Sequence, residues 1–220
     1  MIYLYHADSE RFQKEHELNK LLEELPKNMH ERALRYHFKR DAYNYVLGRL
    51  LLKKGLTAIG LDSQFQNISF QKDGKPTIEG AHFSISHSDN LVVCVISIEG
   101  IIGIDVEKEK QINLENFKPW FTNIEWADIN NAHYPIQKFY WYWTRKESII
   151  KALGIKLSYL HKIELDARHD FFIENGEKWY LKDLDFAPGF FGSLCAEKEI
   201  TKSFIVSEVR FIDIKKGLNI

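Results

Sequence analysis

The strongest constraint on the fold is that the sequence changes twice from a helical to a strand pattern. Apolar side chains recur at helical spacing up to residue 54, and a single helix is expected over residues 29–54. Short runs punctuated by turn residues, typical of strands, fill residues 65–107, and the first of them predicts a strand over residues 65–71. Helical patterns return over residues 113–154, and strand patterns follow from residue 165 onward. Helices and strands in separate blocks predict an α+β fold.

Length and a weak internal similarity predict two lobes. A chain of 220 residues can form one large fold or two half-size lobes that share a core. The segments around Cys94 and Cys195 both run from a phenylalanine through a polar or glycine break into an apolar strand. We therefore expect lobes at residues 1–104 and 105–220, with a cleft between them as the natural place for a site.

Composition excludes several classes of partner. The chain has 30 basic and 31 acidic residues, so it offers no overall field for nucleic acid. Its longest nearly apolar stretch, residues 91–98, is about half of what a bilayer requires, so we expect no membrane segment. Both cysteines lie in apolar runs and are expected to be free thiols, which favours a reducing compartment and a cytoplasmic protein.

One segment departs from this charge balance. Residues 27–54 carry eight basic side chains against two acidic ones. The excess can be a solvated helix face or a local patch that holds an anion, and the segment alone does not decide between them.

Residues 103–107 (GIDVE) form the sharpest local feature. Side chains alternate along a strand, so Asp105 and Glu107 lie on the same face. Adjacent carboxylates repel unless a cation sits between them, and oxygen ligands of this kind suit Mg2+. The alternative is an acidic strand end that faces solvent.

The helical segment 143–154 (WTRKESIIKALG) carries a second polar set. Trp143, Glu147 and Lys151 follow each other at intervals of four residues and share one helical face. Glu147 and Lys151 can be an ordinary surface pair, but the helix is apolar most of the way round, which is typical of a buried helix.

A third feature is the strand 83–88 (FSISHS), which runs into a polar corner. Ser86 and His87 offer donors suited to phosphate oxygens, and Lys75 and Pro76 follow a turn a few residues earlier. A serine hydrolase would need a Gly-x-Ser-x-Gly turn at the nucleophile, which this segment lacks. A turn stabilised by its own hydrogen bonds is the other alternative.

In combination, these blocks resemble one family. Residues 74–76 (GKP), 83–88, 103–107 and 143–154 follow the order and approximate spacing of the Sfp-type 4'-phosphopantetheinyl transferases. The resemblance implies an α+β fold of two similar lobes in a pseudo-dimeric arrangement, with the active site in the cleft between them. It also implies a monomer, because one chain then supplies both halves of the site.

The resemblance assigns roles to individual residues. It implies that Asp105, Glu107 and Glu147 hold Mg2+, or Mn2+ in its place, and that Glu147 accepts the proton of the attacking hydroxyl. Asp105 and Lys151 complete the implied catalytic set. The residues implied to bind the coenzyme are Arg32, Arg35, Arg40, Lys75, Pro76, Ser86, His87 and Lys151. Met29 stands where the family often has lysine.

The implied function is transfer of phosphopantetheine from coenzyme A to a serine of an apo acyl or peptidyl carrier protein, with release of adenosine 3',5'-bisphosphate. The carrier can serve fatty acid, polyketide or nonribosomal peptide synthesis. The aromatic residues between 113 and 126, which are Phe117, Trp120, Phe121 and Trp126, can bind the carrier or form core. A non-catalytic module that binds coenzyme A or carrier proteins and a metal-dependent phosphohydrolase stay open as alternatives.

Overall fold

A computed structural model of the protein describes residues 1–70, 74–200 and 204–208, the last of these as backbone only. Within these ranges the α-helices are α1 (Ser9–Glu15), α2 (Leu18–Leu22), α3 (Lys27–Leu34), α4 (Lys39–Ala58), α5 (Asn123–Asn131) and α6 (Pro135–Leu153). Three 3-10 helices accompany them, at Asp62–Asn67, Leu114–Trp120 and Leu157–Lys162. Helix α6 begins with Pro135 and ends at Gly154, whose positive φ of 70° closes the last turn.

The strands form two four-stranded sheets and one short pair. They are β1 (Ile2–Asp8), β2 (Ser69–Phe70), β3 (Pro76–Thr77), β4 (His82–Ser88), β5 (Leu91–Ser97), β6 (Ile102–Lys108), β7 (Phe171–Glu174), β8 (Glu177–Leu184), β9 (Phe190–Ala196) and β10 (Phe204–Glu208). The first sheet has the order β10-β1-β5-β4 and the second has the order β6-β9-β8-β7. Strands β2 and β3 pair with each other. The second sheet is antiparallel throughout, whereas β1 and β10 run parallel.

Each sheet packs one face on a long helix and the other face on a shared core. Val92, Cys94 and Ile96 of β5 pack with α4, whereas Val93 and Val95 point the other way. The shared core joins these two valines to apolar side chains of the second sheet, which are Ile102, Ile104, Val106, Leu184, Leu194 and Ala196. Helix α6 covers the opposite face of the second sheet. The polar side chains of β6 therefore face α6.

The expected α+β fold of two lobes is confirmed. The lobe limits 1–104 and 105–220 stay a prediction. The predicted limit falls inside β6, which spans residues 102–108 of the second sheet, and β10 pairs within the first sheet although it lies near the end of the sequence. A single helix was expected over residues 29–54, but α3 and α4 are separated there, and Tyr36 in the connection packs against Tyr45 of α4. Residues 65–67 belong to a 3-10 helix, not to the start of the expected strand, whose end lies outside the described residues.

The structure agrees with the expectation for the thiols. Cys94 and Cys195 are free and buried. In the described ranges, no helix has both the length and the apolar character needed to cross a bilayer.

A buried ion pair ties α6 to α5. The ammonium of Lys146 lies 2.6 Å from the carboxylate of Glu125, and neither side chain is exposed. Lys146 also donates to the carbonyl oxygens of Trp120 and Leu160, and Glu125 accepts from the amide of Leu165. Because every partner of this pair lies in a segment that packs on α6, the pair fixes that helix against its surroundings.

Replacing Lys146 by Met should lower the free energy of unfolding by about 3–5 kcal/mol, because Glu125 would be left charged and buried without a cation to balance it. Urea unfolding measures the effect. Lys138→Met is the matched control, since Lys138 joins the same two helices through Asp128 at 3.0 Å but both side chains are partly exposed. We expect the control to lose less than about 1 kcal/mol. Equal losses in the two variants would contradict the prediction.

Candidate functional site

A cleft of about 350 Å³ opens between α4, β4 and the end of α6. Of the residues predicted to bind a coenzyme, five line it, and these are Arg32, Lys75, Pro76, His87 and Lys151. The lining also includes three residues that the sequence did not identify as site residues, Tyr36, Tyr45 and Arg49. The first lobe and the last turns of α6 therefore form the cleft together.

Strand β6 approaches α6 so closely that only glycine fits at the crossing point. A methyl group at Gly103 would lie 2.1 Å from the carbonyl oxygen of Ser148 and 2.4 Å from the amide nitrogen of Ala152. Asp105 and Glu107 follow on the same face of the strand, as the alternation predicted. Glu147 and Lys151 lie on the helix opposite, so the close approach brings the predicted acidic and basic residues together.

Asp105 is the most buried of the three predicted metal ligands. One carboxylate oxygen, Oδ1, accepts from the ammonium of Lys151 at 2.6 Å and from the hydroxyl of Ser86 at 2.9 Å. The other oxygen, Oδ2, is buried and has no hydrogen-bond partner among the described residues. A buried carboxylate oxygen without a partner is costly unless it serves a ligand.

Burial and mutual repulsion change the pKa of the neighbouring acids. Burial, together with the charge of Asp105, raises the pKa of Glu147 to about 7. Burial also raises the pKa of Glu107, against the effect of a hydrogen bond from Ser88. His87, on the cleft wall, has its pKa lowered by burial and by the positive charge of Lys151. Glu147 can thus exchange a proton near neutral pH.

The donor set fits a hard divalent cation. Asp105 offers an unpartnered buried oxygen, and the charges of Asp105 and Glu107 both raise the pKa of Glu147. Oxygen ligands of this type are those that Mg2+ takes, usually with water and substrate phosphate oxygens. In the described part of the chain, no three acidic, histidine or cysteine side chains are gathered tightly enough to hold a metal ion by themselves. A site here thus fits an ion that draws its remaining ligands from water or substrate.

Lys75 connects the turn at residues 74–76 to the end of α6. Its ammonium donates to the carbonyl oxygen of Ala152 in the last turn of the helix. Burial lowers the pKa of Lys75 to about 8. A lysine at a helix C-terminus also compensates the partial negative charge of that end. The predicted site residue is therefore both part of the cleft wall and a link between the two lobes.

Two guanidinium groups flank one aromatic ring in the cleft. The guanidinium carbons of Arg32 and Arg49 each lie 5.3 Å from the centroid of the Tyr45 ring. One nitrogen of Arg49 is buried and lacks a hydrogen-bond partner among the described residues. The two arginines are thus placed to hold an anion. Tyr45 and Arg49 are four residues apart on a helix, and this spacing in the sequence could have predicted their contact.

Three predicted coenzyme ligands lie outside the cleft lining. Arg35 is largely exposed and pairs with Glu31, and Arg40 is more than half exposed and pairs with Asp89. Ser86 is buried behind the wall, where its hydroxyl contacts Asp105 and the ammonium of Lys151. In place of Arg35 and Arg40, the structure offers Arg49 as the second arginine of the cleft.

The aromatic residues after β6 divide between core and near-core positions. Phe121 and Trp126 are buried in the core of the second lobe. Phe117 and Trp120 are partly buried and pack against that core. Of the two interpretations of this segment, the structure supports core for the first pair.

Comparisons with known proteins agree with the motifs. Residues 101–200 match the family described as the 4'-phosphopantetheinyl transferase superfamily, and residues 13–99 match the family described as 4'-phosphopantetheinyl transferase, N-terminal. The 4'-phosphopantetheinyl transferase Sfp of Bacillus subtilis is 32% identical over 214 residues, which are 89% of this chain and 91% of that protein. The 4'-phosphopantetheinyl transferase gsp of Aneurinibacillus migulanus is 37% identical over 144 residues, 63% of this chain and 60% of that protein.

Gly103→Ala should push α6 away from β6 and lower the free energy of unfolding by about 1–3 kcal/mol. Because Glu147 would move away from Asp105, its pKa should fall from about 7 towards the ordinary glutamate value. Urea unfolding and a carboxyl NMR titration measure the two effects. Gly100→Ala is the control, since a methyl group there meets only the flexible side chains of Glu197 and Lys198. An unchanged Glu147 pKa in Gly103→Ala would contradict the prediction.

Proposed function

Because this chain belongs to the Sfp-type 4'-phosphopantetheinyl transferases, we propose that it transfers 4'-phosphopantetheine from coenzyme A to a serine of an apo acyl or peptidyl carrier protein. One observation carries the proposal: Lys151 lines the cleft and also contacts Asp105, so an anion-binding cleft and a buried acidic centre meet at one side chain. A coenzyme anchored in the cleft would bring its pyrophosphate to that point.

The proposed reaction is a displacement at phosphorus. The serine oxygen of the carrier bonds to the phosphorus that bears pantetheine, and the bond from that phosphorus to the nucleotide oxygen breaks. Adenosine 3',5'-bisphosphate leaves with the bonding electrons. Glu147 takes the serine proton, directly or through water. Burial and the charge of Asp105 raise its pKa to about 7, which suits a base at neutral pH as long as the bound metal does not lower its basicity too far.

Lys151 and a bound Mg2+ would counter the negative charge that develops on the phosphates, and His87 would add a contact. Lys151 would donate to phosphate oxygens, with its ammonium held beside Asp105. Asp105, Glu107 and Glu147 would hold Mg2+ together with water and phosphate oxygens, and the bound ion would neutralise charge on the pyrophosphate. His87 lines the same cleft and would contact the phosphates through a ring N–H.

The arginines around Tyr45 would anchor the far end of the coenzyme. Arg32 and Arg49 provide the positive charge for the 3'-phosphate, and a guanidinium can bind two phosphate oxygens at once. Lys75 and Pro76 line the same cleft and would contact the nucleotide portion. This arrangement gives Arg49 the part that the family often gives to a lysine at the position of Met29.

Intact-mass spectrometry tests the proposed transfer directly. The full chain, coenzyme A and Mg2+ are incubated with an apo acyl carrier protein and, separately, with an apo peptidyl carrier protein. At least one carrier should gain the mass of one phosphopantetheine. Unchanged carriers would reject the proposal. Free phosphopantetheine released without a carrier would identify a phosphohydrolase instead.

Glu147→Gln should lower the transfer rate by about 10²–10⁴-fold and leave coenzyme A binding intact, because the amide cannot accept the serine proton. Glu177→Gln, on an exposed hairpin of the second sheet, serves as the matched control and should transfer normally. Calorimetry measures binding in both variants. Near-normal turnover in Glu147→Gln would remove that residue from the chemistry.

Arg49→Gln should weaken coenzyme A binding by about 10- to 100-fold, which corresponds to losing one or two charge-assisted hydrogen bonds. Dephospho coenzyme A lacks the 3'-phosphate, so its affinity should change little. Arg35→Gln, on the same basic segment but outside the cleft, should leave both affinities unchanged. Equal weakening of the two ligands in Arg49→Gln would contradict a role at the 3'-phosphate.

A further inference from the structure

Three serines of β4 lie against the free edge of β6. The hydroxyls of Ser84, Ser86 and Ser88 accept from the amides of Ile104, Val106 and Lys108, at 3.2, 3.4 and 3.0 Å. These amides point away from β9, the backbone partner of β6. The serine side chains therefore take the place of a neighbouring strand, and every second residue from Ser84 to Ser88 takes part.

The same hydroxyls have a proton left to donate, and its acceptor follows a regular offset. Ser86 donates to Asp105 at 2.9 Å, and Ser88 donates to Glu107 at 2.6 Å. In both cases the serine accepts from the amide of one β6 residue and donates to the side chain of the residue just before it. The equivalent position for Ser84 is Gly103, which has no side chain. Ser84 thus makes the backbone contact without a carboxylate.

We infer that Ser88 is a positioning residue for the metal-binding carboxylate of Glu107. This rests on the proposed function, in which Glu107 holds a divalent cation. The amide of Lys108 fixes one side of the hydroxyl, so its proton points to Oε2 of Glu107. A glutamate has three rotatable bonds, and this hydrogen bond selects among its conformations. With Oε2 engaged by Ser88, Oε1 would be the oxygen left for an ion.

Mn2+ binding to the full chain, with coenzyme A present, tests the inference independently of turnover. Removing a hydrogen-bond partner of a metal ligand typically costs 10–100-fold in metal affinity. We therefore expect Ser88→Ala to weaken Mn2+ binding by about 10- to 100-fold, as measured by electron paramagnetic resonance. Ser84→Ala loses the same kind of backbone contact and should bind Mn2+ as the natural protein does.

A second pair of variants separates the hydroxyl from the packing. Thr and Val have nearly the same shape, so Ser88→Thr should retain Mn2+ affinity and Ser88→Val should lose it. In the transfer assay, Ser88→Val should raise the Mg2+ concentration needed for half-maximal rate, with the rate at saturating Mg2+ close to normal. Equal Mn2+ affinities in the Thr and Val variants would overturn the inference.

Two further results distinguish this inference from the proposed function. If Glu107→Gln loses Mn2+ and Ser88→Ala does not, the metal role stands and the positioning role of Ser88 is rejected. If the unaltered chain binds no Mn2+, or Glu107→Gln binds it normally, the proposed metal role fails and the inference fails with it.

Discussion

The structure depends on how β6 is attached to β4. A free strand edge presents amides that need acceptors, and a neighbouring strand would supply carbonyl oxygens. Carbonyls only accept, so they could satisfy the amides but could donate nothing to Asp105 or Glu107. Serine hydroxyls do both. The seam between the two sheets therefore joins the lobes and, through the same atoms, orients the carboxylates of the site.

The other side of β6 imposes the second constraint. Gly103 lets the strand approach the backbone of α6, and the approach brings Lys151 within 2.6 Å of Asp105. Grouped carboxylates in a buried site repel one another, and Lys151 offsets part of that repulsion. The buried pair of Lys146 and Glu125 holds the same helix against α5. The acidic centre therefore lies on a strand and a helix that are both packed in place, and not on loops.

Local patterns predicted what local geometry decides. Strand alternation predicted that Asp105 and Glu107 share one face of β6, and helical spacing predicted that Glu147 and Lys151 share one face of α6. Both placements are confirmed. Spacing could not predict that Ser86 turns towards Asp105 instead of the cleft, since that depends on which strand β6 meets. At the interruption between α3 and α4, Tyr36 packs against Tyr45, a tertiary contact that apolar periodicity does not record.

The two halves of the candidate site differ in how strictly sequence can specify them. The carboxylates lie on a short strand and on the helix it touches, so their positions follow from backbone register. Arginine side chains are long, and a cation can reach one anion from several backbone positions. Arg49 reaches the Tyr45 ring from α4 although Met29 occupies the place where the family often has lysine. Positive charge in the cleft can therefore be kept while its sequence position changes. This explains why the motifs named acidic residues that the structure brings together, but also named two arginines, Arg35 and Arg40, that lie outside the cleft lining.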